Sequence, residues 1–179
     1  EKSKHIDRLA TKAALNAEYG TVLAIGILDG EDLSVHVGGN EEAEKGILAD
    51  FWIRAAEDYR KGRKVWVGHN ILRFDLPFLL RRSLLLGVPV AGELCPRPRY
   101  WPDLFWIDLF QVWGAGDYRA TISLDRFCKA AGLPGKNGDG KNFQRLLRED
   151  SDAAIDYLKN DLQITKRLAD RVLQNSLLN

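Results

Sequence analysis

Apolar positions recur at two different periods along the chain, and the changes of period mark its elements. Over residues 1–15 the spacing of Ile6, Leu9, Ala13 and Ala14 predicts a helix, which Tyr19-Gly20 breaks. Thr21 to Leu28 is β-branched and apolar and reads as a buried strand. Asp29-Gly30 is a hairpin signal, and the alternation from Leu33 to Val37 supplies the partner strand. After the Gly38-Gly39-Asn40 turn, Ile47, Leu48, Phe51, Trp52 and Ala55 fall at helical spacing and predict an amphipathic helix over Glu41–Arg60. A short apolar run, Val65–Val67, is a strand that Gly68 ends. A helix from about Phe74 to Leu86 follows, with Pro77 in its first turn, where a missing N–H costs nothing. Residues 89–102 form a loop rich in proline. Leu104–Leu109 is a further strand ending near Asp108, and Ser123–Ala131 is a helix pinned by Leu124, Phe127 and Cys128. A glycine-rich loop spans 132–141. Ser151 is the expected N-cap of a last helix reaching about Gln174. Hairpin, helix, strand, helix, strand, helices is an α/β order with a mixed sheet. No repeat and no linker divides the chain, so 1–179 reads as one domain.

Two stretches combine this pattern with chemistry. In Val65–Leu80, V-W-V-G-H-N-I-L-R-F-D-L-P-F-L-L, Asp75 falls at a strand-to-helix junction. A helix N-terminus favours an ionised carboxylate, so Asp75 is either a metal ligand or a helix cap. In Ala153–Thr165, Tyr157 and Asp161 are four apart on one helix face, with Ala154, Thr165 and Leu168 beside them. A carboxylate within an apolar face needs a partner or a cation. The plainer reading makes Tyr157 an ordinary buried tyrosine and Asp161 a surface acid.

Together these stretches resemble the DEDDy 3′–5′ exonucleases of the ribonuclease-H-like fold. The second motif of that family, N-x-x-x-F-D, matches Asn70 to Asp75, and the third, Y-x-x-x-D, matches Tyr157 to Asp161. The wording of G-H-N-I-L-R-F-D-L-P-F-L and Y-L-K-N-D-L is similar to stand-alone relatives of the exonuclease domain of family B DNA polymerases. The likeness runs from about Ala14 to Arg171. It implies a ribonuclease-H-like mixed sheet flanked by helices. It also implies hydrolysis of nucleotides from a single-stranded 3′ end of DNA or RNA, with DNA favoured, and two Mg²⁺ or Mn²⁺ ions in the complete site. Asp75 and Asp161 are then metal ligands and Tyr157 orients the attacking water. Phosphodiester hydrolysis needs a nucleophilic hydroxide and a stabilised leaving oxygen, which two divalent ions about 3.5–4 Å apart supply. Asn70 either holds its loop or meets the substrate backbone. Phe74 either stacks on a terminal base or seals its helix against the sheet.

The first motif of that family, D-x-E on a strand preceding one like Thr21–Leu28, has no match here. Asp29 and Glu31 follow that strand at a hairpin turn, and Asp7 lies in a helical pattern. The chain also contains no Met. The expectation is that a segment holding the first strand and its two acids precedes Glu1, and that the chain from Glu1 alone neither cuts nor dissolves well. A genuine absence of those acids would favour a degenerate exonuclease fold that binds nucleic acid or a polymerase without cleavage.

Composition and charge narrow the rest. The chain has 179 residues, 45% of them hydrophobic and 28% charged, a soluble globular balance without an apolar run near a membrane span. A net charge of +1 argues against gripping nucleic acid by bulk charge. Cys95 and Cys128 form no metal spacing, and a reducing, cytoplasmic setting is the default. His69 at a strand end reads as packed or hydrogen-bonded rather than as a base. Gly135–Asn142, G-K-N-G-D-G-K-N, lacks the preceding strand and the hydroxyl residue of a P-loop. It leaves Lys136 or Lys141 as a phosphate contact or a solvated loop residue. Basic groups at 60–64, 81–82, 97–99 and 166–167 read as solvated faces. The interleaved Arg97, Arg99, Tyr100 and Trp101 are the best nucleic-acid candidate among them.

Overall fold

The structure, a computed structural model, describes residues 15–62, 64–95, 105–117, 119–136 and 143–174. Its elements are strands β1 (Ala24–Asp29) and β2 (Asp32–Val37), helix α1 (Glu41–Lys61), strand β3 (Trp66–Gly68), helix α2 (Asp75–Leu86), strand β4 (Trp106–Asp108), and helices α3 (Leu109–Gly114), α4 (Leu124–Ala130), α5 (Phe143–Glu149) and α6 (Ser151–Gln174). It is a mixed α/β chain. Its described residues cluster into two compact units, one from 15–25, 36–64 and 72–95 and one from 26–35, 65–71 and 105–174. The helix expected over residues 1–15, and the arginine and aromatic run at 97–101, lie outside the described residues except for Leu15.

The first unit is built around α1. Asn40 caps it by accepting the Ala43 N–H at 2.9 Å, and Gly62, at φ 60°, closes it against Asp58 and Tyr59. Its apolar stripe, Ile47, Leu48, Phe51, Trp52 and Ala55, is buried as the spacing predicts. That stripe packs against α2, where the Trp52 indole donates to the buried Ser83 Oγ at 2.9 Å. Two buried acids are also on this helix, Glu44 and Asp58. Glu44, 2% exposed, accepts from Arg82 through both oxygens at 2.8 Å, and Oε1 also takes the Val22 N–H at 2.8 Å. Arg82 gives a further bond to Ala17 O at 3.0 Å. A buried pair survives when further partners support it, and here Ala17 O and the Val22 N–H do so. Gly38 lets two backbone segments approach, because a Cβ there would lie 2.8 Å from Val22 O.

The second unit holds the parallel pair β3–β4, in register Trp66↔Trp106, Val67↔Ile107 and Gly68↔Asp108. Both strands are only three residues long. β1 and β2 form a separate two-stranded sheet, joined by a two-residue connection at Gly30, φ 63°. The core of this unit is Leu109, Leu124, Cys128, Ile164, Leu168, Ala169 and Val172, with Val67 packed on it. The hairpin approaches α6 closely at Gly26, where a Cβ would stand 2.7 Å from Leu162 Cδ1. α6 therefore presents two faces, one to the core and one to the hairpin.

Three expectations are corrected and one helix is new. Leu109 begins a helix rather than ending a strand, because the Asp108 carboxylate accepts the Phe110 N–H at 3.0 Å and nucleates α3. α5 was not anticipated, and its short amphipathic run contains no fully buried residue. The cap of α6 is Asp150, whose side chain accepts the Ala153 N–H at 3.0 Å, so Ser151 is already helical. α2 starts at Asp75, with Phe74 in the cap position and no side-chain cap bond, so Asp75 is not the cap.

Candidate active site

Tyr157 and Asp161 share a face of α6, as their spacing predicts. Ala154 and Leu168 on that face are fully buried. In the next turn, Thr165 Oγ1 donates to Asp161 O at 2.7 Å, tying side chain to backbone. The Asp161 side chain is 19% exposed. Its Oδ1 is buried with no hydrogen-bond partner among the described residues. Its Oδ2 accepts from the Lys136 ammonium at 2.5 Å. The same ammonium lies 3.4 Å from Tyr157 Oη and 5.7 Å from the centre of the tyrosine ring. Phe143 backs the ring at 6.3 Å between centroids. Asp161 is thus not a plain surface acid, and Lys136 is not a solvated loop residue.

The lysine is held from behind. Its backbone N–H donates to Asp125 Oδ1 at 2.9 Å, while Asp125 Oδ2 accepts from Lys129 Nζ at 2.7 Å. Gly135 is needed for this approach, since a Cβ there would collide with Asp125 Oδ1. The bonds from Lys129 and from the Lys136 backbone hold the Asp125 carboxyl below its usual range. Burial works to lower the Lys136 ammonium, but the bond to Asp161, the Asp161 charge and Tyr157 together outweigh it and raise the pKa above its ordinary value. Burial, with the Asp161 charge next, pushes the Tyr157 phenol up, so it keeps its proton at neutral pH.

At the end of β3 the chain turns sharply. Gly68 leaves room for Ile71, and Asn70 adopts φ 65°, a left-handed conformation that asparagine tolerates. The Asn70 N–H donates to the buried Asp108 Oδ1 at 2.6 Å, so one carboxylate fixes both this turn and the start of α3. His69 Nε2 faces Ile122 O at 3.0 Å. A carbonyl only accepts, so Nε2 carries the proton and Nδ1, buried and without a partner among the described residues, does not. Burial lowers the pKa of His69. The packed reading of His69 fits this environment.

Asp75 and Phe74 belong to the first unit, and Asn70, Tyr157 and Asp161 to the second. Asp75 is exposed in the first turn of α2. Phe74 is 38% exposed and tilts against Phe78 at 5.9 Å, so it does not seal the helix as a core residue. Among the described residues no group of three or more His, Cys, Asp or Glu is gathered closely enough to hold a metal ion. Within the basic groups, Arg60 pairs with Glu93, Lys61 with Glu57, Lys64 with Asp58, and Lys166 with Asp170. None of the described helices is long and apolar enough to cross a membrane. Cys95 and Cys128 are free thiols.

Reading the residues one by one missed Asp125 and Asp108. Asp108 carried a signal, a lone acid closing an apolar strand before another apolar run. Asp125 carried only its i,i+4 spacing to Lys129, since its other partner is a backbone N–H eleven residues away. Compared with known proteins, residues 9–165 match a family model described as a predicted 3′–5′ exonuclease related to the exonuclease domain of PolB. No curated protein matches the chain.

Proposed function

Because the chain belongs to the family of predicted 3′–5′ exonucleases related to the exonuclease domain of PolB, we propose that it releases nucleotides from single-stranded 3′ ends, of DNA in preference to RNA, in a reaction dependent on Mg²⁺ or Mn²⁺. In this reading Asp75 and Asp161 are metal ligands, Tyr157 orients the attacking water, and Asn70 and Phe74 hold the substrate. The observation that carries it is Asp161 itself: a carboxylate set beside a protonated phenol, with one oxygen buried and unpartnered among the described residues.

Asp161 Oδ1 is an oxygen of the kind a hard divalent cation takes, but one carboxylate is less than such an ion needs, and among the described residues no group of three or more acids, histidines or cysteines gathers to complete a site. What such an ion supplies when bound is neutralisation of the phosphate and acidification of water. The chain's own residues do the rest. The Asp161 side chain is oriented by the Lys136 ammonium on Oδ2, while the Thr165 hydroxyl ties its backbone carbonyl. Tyr157 keeps its hydroxyl proton and so directs a water by donating to it or accepting from it. Asn70, held in its left-handed turn, offers an amide side chain to the substrate backbone. The exposed ring of Phe74 offers a base a stacking partner worth about 1–3 kcal/mol.

A second reading has an observation of its own. The Lys136 ammonium on Asp161 is what a binding module that has given up cleavage would also contain. A 3′-labelled and a 5′-labelled single strand, incubated with the protein and Mg²⁺ or Mn²⁺, separate the two. Stepwise release from the 3′ end supports the exonuclease. Retention of the strand without release supports the binder.

A further inference from the structure

The parallel register of β3 and β4 sets Asp108 opposite Gly68, two residues before Asn70. Asp108 is 3% exposed, and its Oδ1 takes two backbone N–H groups, that of Asn70 at 2.6 Å and that of Phe110 at 3.0 Å. The Phe110 ring stands edge-on to His69 at 5.8 Å, and His69 Nε2 donates to Ile122 O at 3.0 Å. The turn is thus gripped from two sides by groups of its own unit. We propose that Asp108 is a positioning residue for the nuclease reaction: by fixing the Asn70 backbone in its left-handed conformation, it sets the Asn70 amide for the single strand. The inference rests on the reading of Asn70 as a substrate contact and extends it to a buried acid that touches no substrate itself.

Capping α3 does not by itself account for an acid at 108, since a serine caps a helix as well. A buried carboxylate is costly unless donors meet it, and the second donor here is the Asn70 N–H. That bond closes on a residue at φ 65°. Left-handed backbone is costly for a residue with a side chain, although asparagine tolerates it better than most. Glycine would take such a turn unaided but would bring no amide with it. Asparagine needs the turn held, and a bond to an ionised acceptor holds it more strongly than a neutral one. Once released, Asn70 relaxes towards the commoner regions of negative φ, and its side chain leaves the place from which it meets the strand. Because Asn70 holds the substrate and does not react with it, the loss falls on binding and not on the chemical step.

The test is a double-mutant cycle on the full chain with two readouts. One is the anisotropy of a fluorescent single-stranded DNA without added divalent ion, and the other is KM and kcat for nucleotide release with Mn²⁺. In Asp108→Ser the hydroxyl, one bond shorter, still caps α3 but falls short of the Asn70 N–H. This variant should weaken strand binding and raise KM by about tenfold, the scale of one lost polar contact, with kcat nearly unchanged. Asn70→Gly takes the turn unaided but lacks the amide, and should show the same loss. The double variant should be no worse than either single one. Asp108→Asn keeps an oxygen for both N–H groups and should bind nearly as the native protein does. Circular dichroism melting checks that each variant is folded. Amide hydrogen exchange on the native protein needs no variant: the Asn70 N–H, outside any strand or helix, should be protected, and exchange as fast as in an open loop overturns the proposal. If Asn70→Gly leaves binding and KM intact, Asn70 is not a substrate contact and the underlying reading fails. If Asn70→Gly weakens binding while Asp108→Ser does not, or if the two losses add in the double variant, Asp108 does not act through Asn70 and the proposal is overturned.

Discussion

His69 shows how much of a residue's character is set by its partners. Its position at the end of β3 was readable, and so was the prospect that it packs rather than reacts. Its proton could not be placed until Ile122 O was seen opposite Nε2. Burial depresses its pKa below the ordinary 6.5, partly opposed by the Ile122 carbonyl and the Asp108 charge. The unfolded chain then binds the proton more readily than the folded one. The resulting stability is fully present above the ordinary value and is lost as pH falls through the depressed one. His69→Gln keeps a donor for Ile122 O and removes the titration. Its melting temperature should fall less than the native value between about pH 7 and about pH 5. An equal fall in both proteins would place the acid sensitivity elsewhere. The Tyr157 hydroxyl is tested more simply. Tyr157→Phe retains the packing against Phe143, so it should fold normally and slow nucleotide release by about a hundredfold through misplacement of water. An unchanged rate would remove Tyr157 from the proposed chemistry.

Elements were legible where periodicity was long and obscure where it was short. The bounds of α1 and α6 follow from apolar stripes of many turns, and both ends of α1 carry standard caps. The short α3 and α5 offered no such run. Asp108 redirected the chain into α3 through a bond that no periodicity reports, and Asp150 displaced Ser151 as a cap although both residue types suit the role. Asp150→Ala should therefore lower stability by about 1 kcal/mol, and Ser151→Ala by much less. Denaturant titration of the two variants distinguishes them. The Glu44–Arg82 pair was invisible in the sequence, because Glu44 reads as one more exposed acid in a first turn. Glu44→Ala leaves Arg82 buried without its partner and should cost about 3–5 kcal/mol, with part recovered in the double variant Glu44→Ala/Arg82→Met. A loss under 1 kcal/mol in the single variant, the scale of an exposed pair, would show that the pair is solvated in solution.

At the scale of the whole molecule, the motif residues fall in different units, Asp75 and Phe74 in one and Asn70, Tyr157 and Asp161 in the other. Each unit draws on separated stretches of chain, so no linker composition marks where one gives way to the next. The α/β class was legible from the order of elements, and the membership of the chain in an exonuclease family from the wording of two stretches. The brace behind Lys136 was not legible, because it joins a side chain on α4 to the backbone of a loop. The central claim is that Asp161 serves nuclease chemistry. It is tested most directly by measuring nucleotide release from a labelled single strand by the native protein and by Asp161→Asn, with Mn²⁺ present and folding matched by circular dichroism. The account predicts release by the native protein and none above background by the variant. Release at the native rate by Asp161→Asn would contradict it.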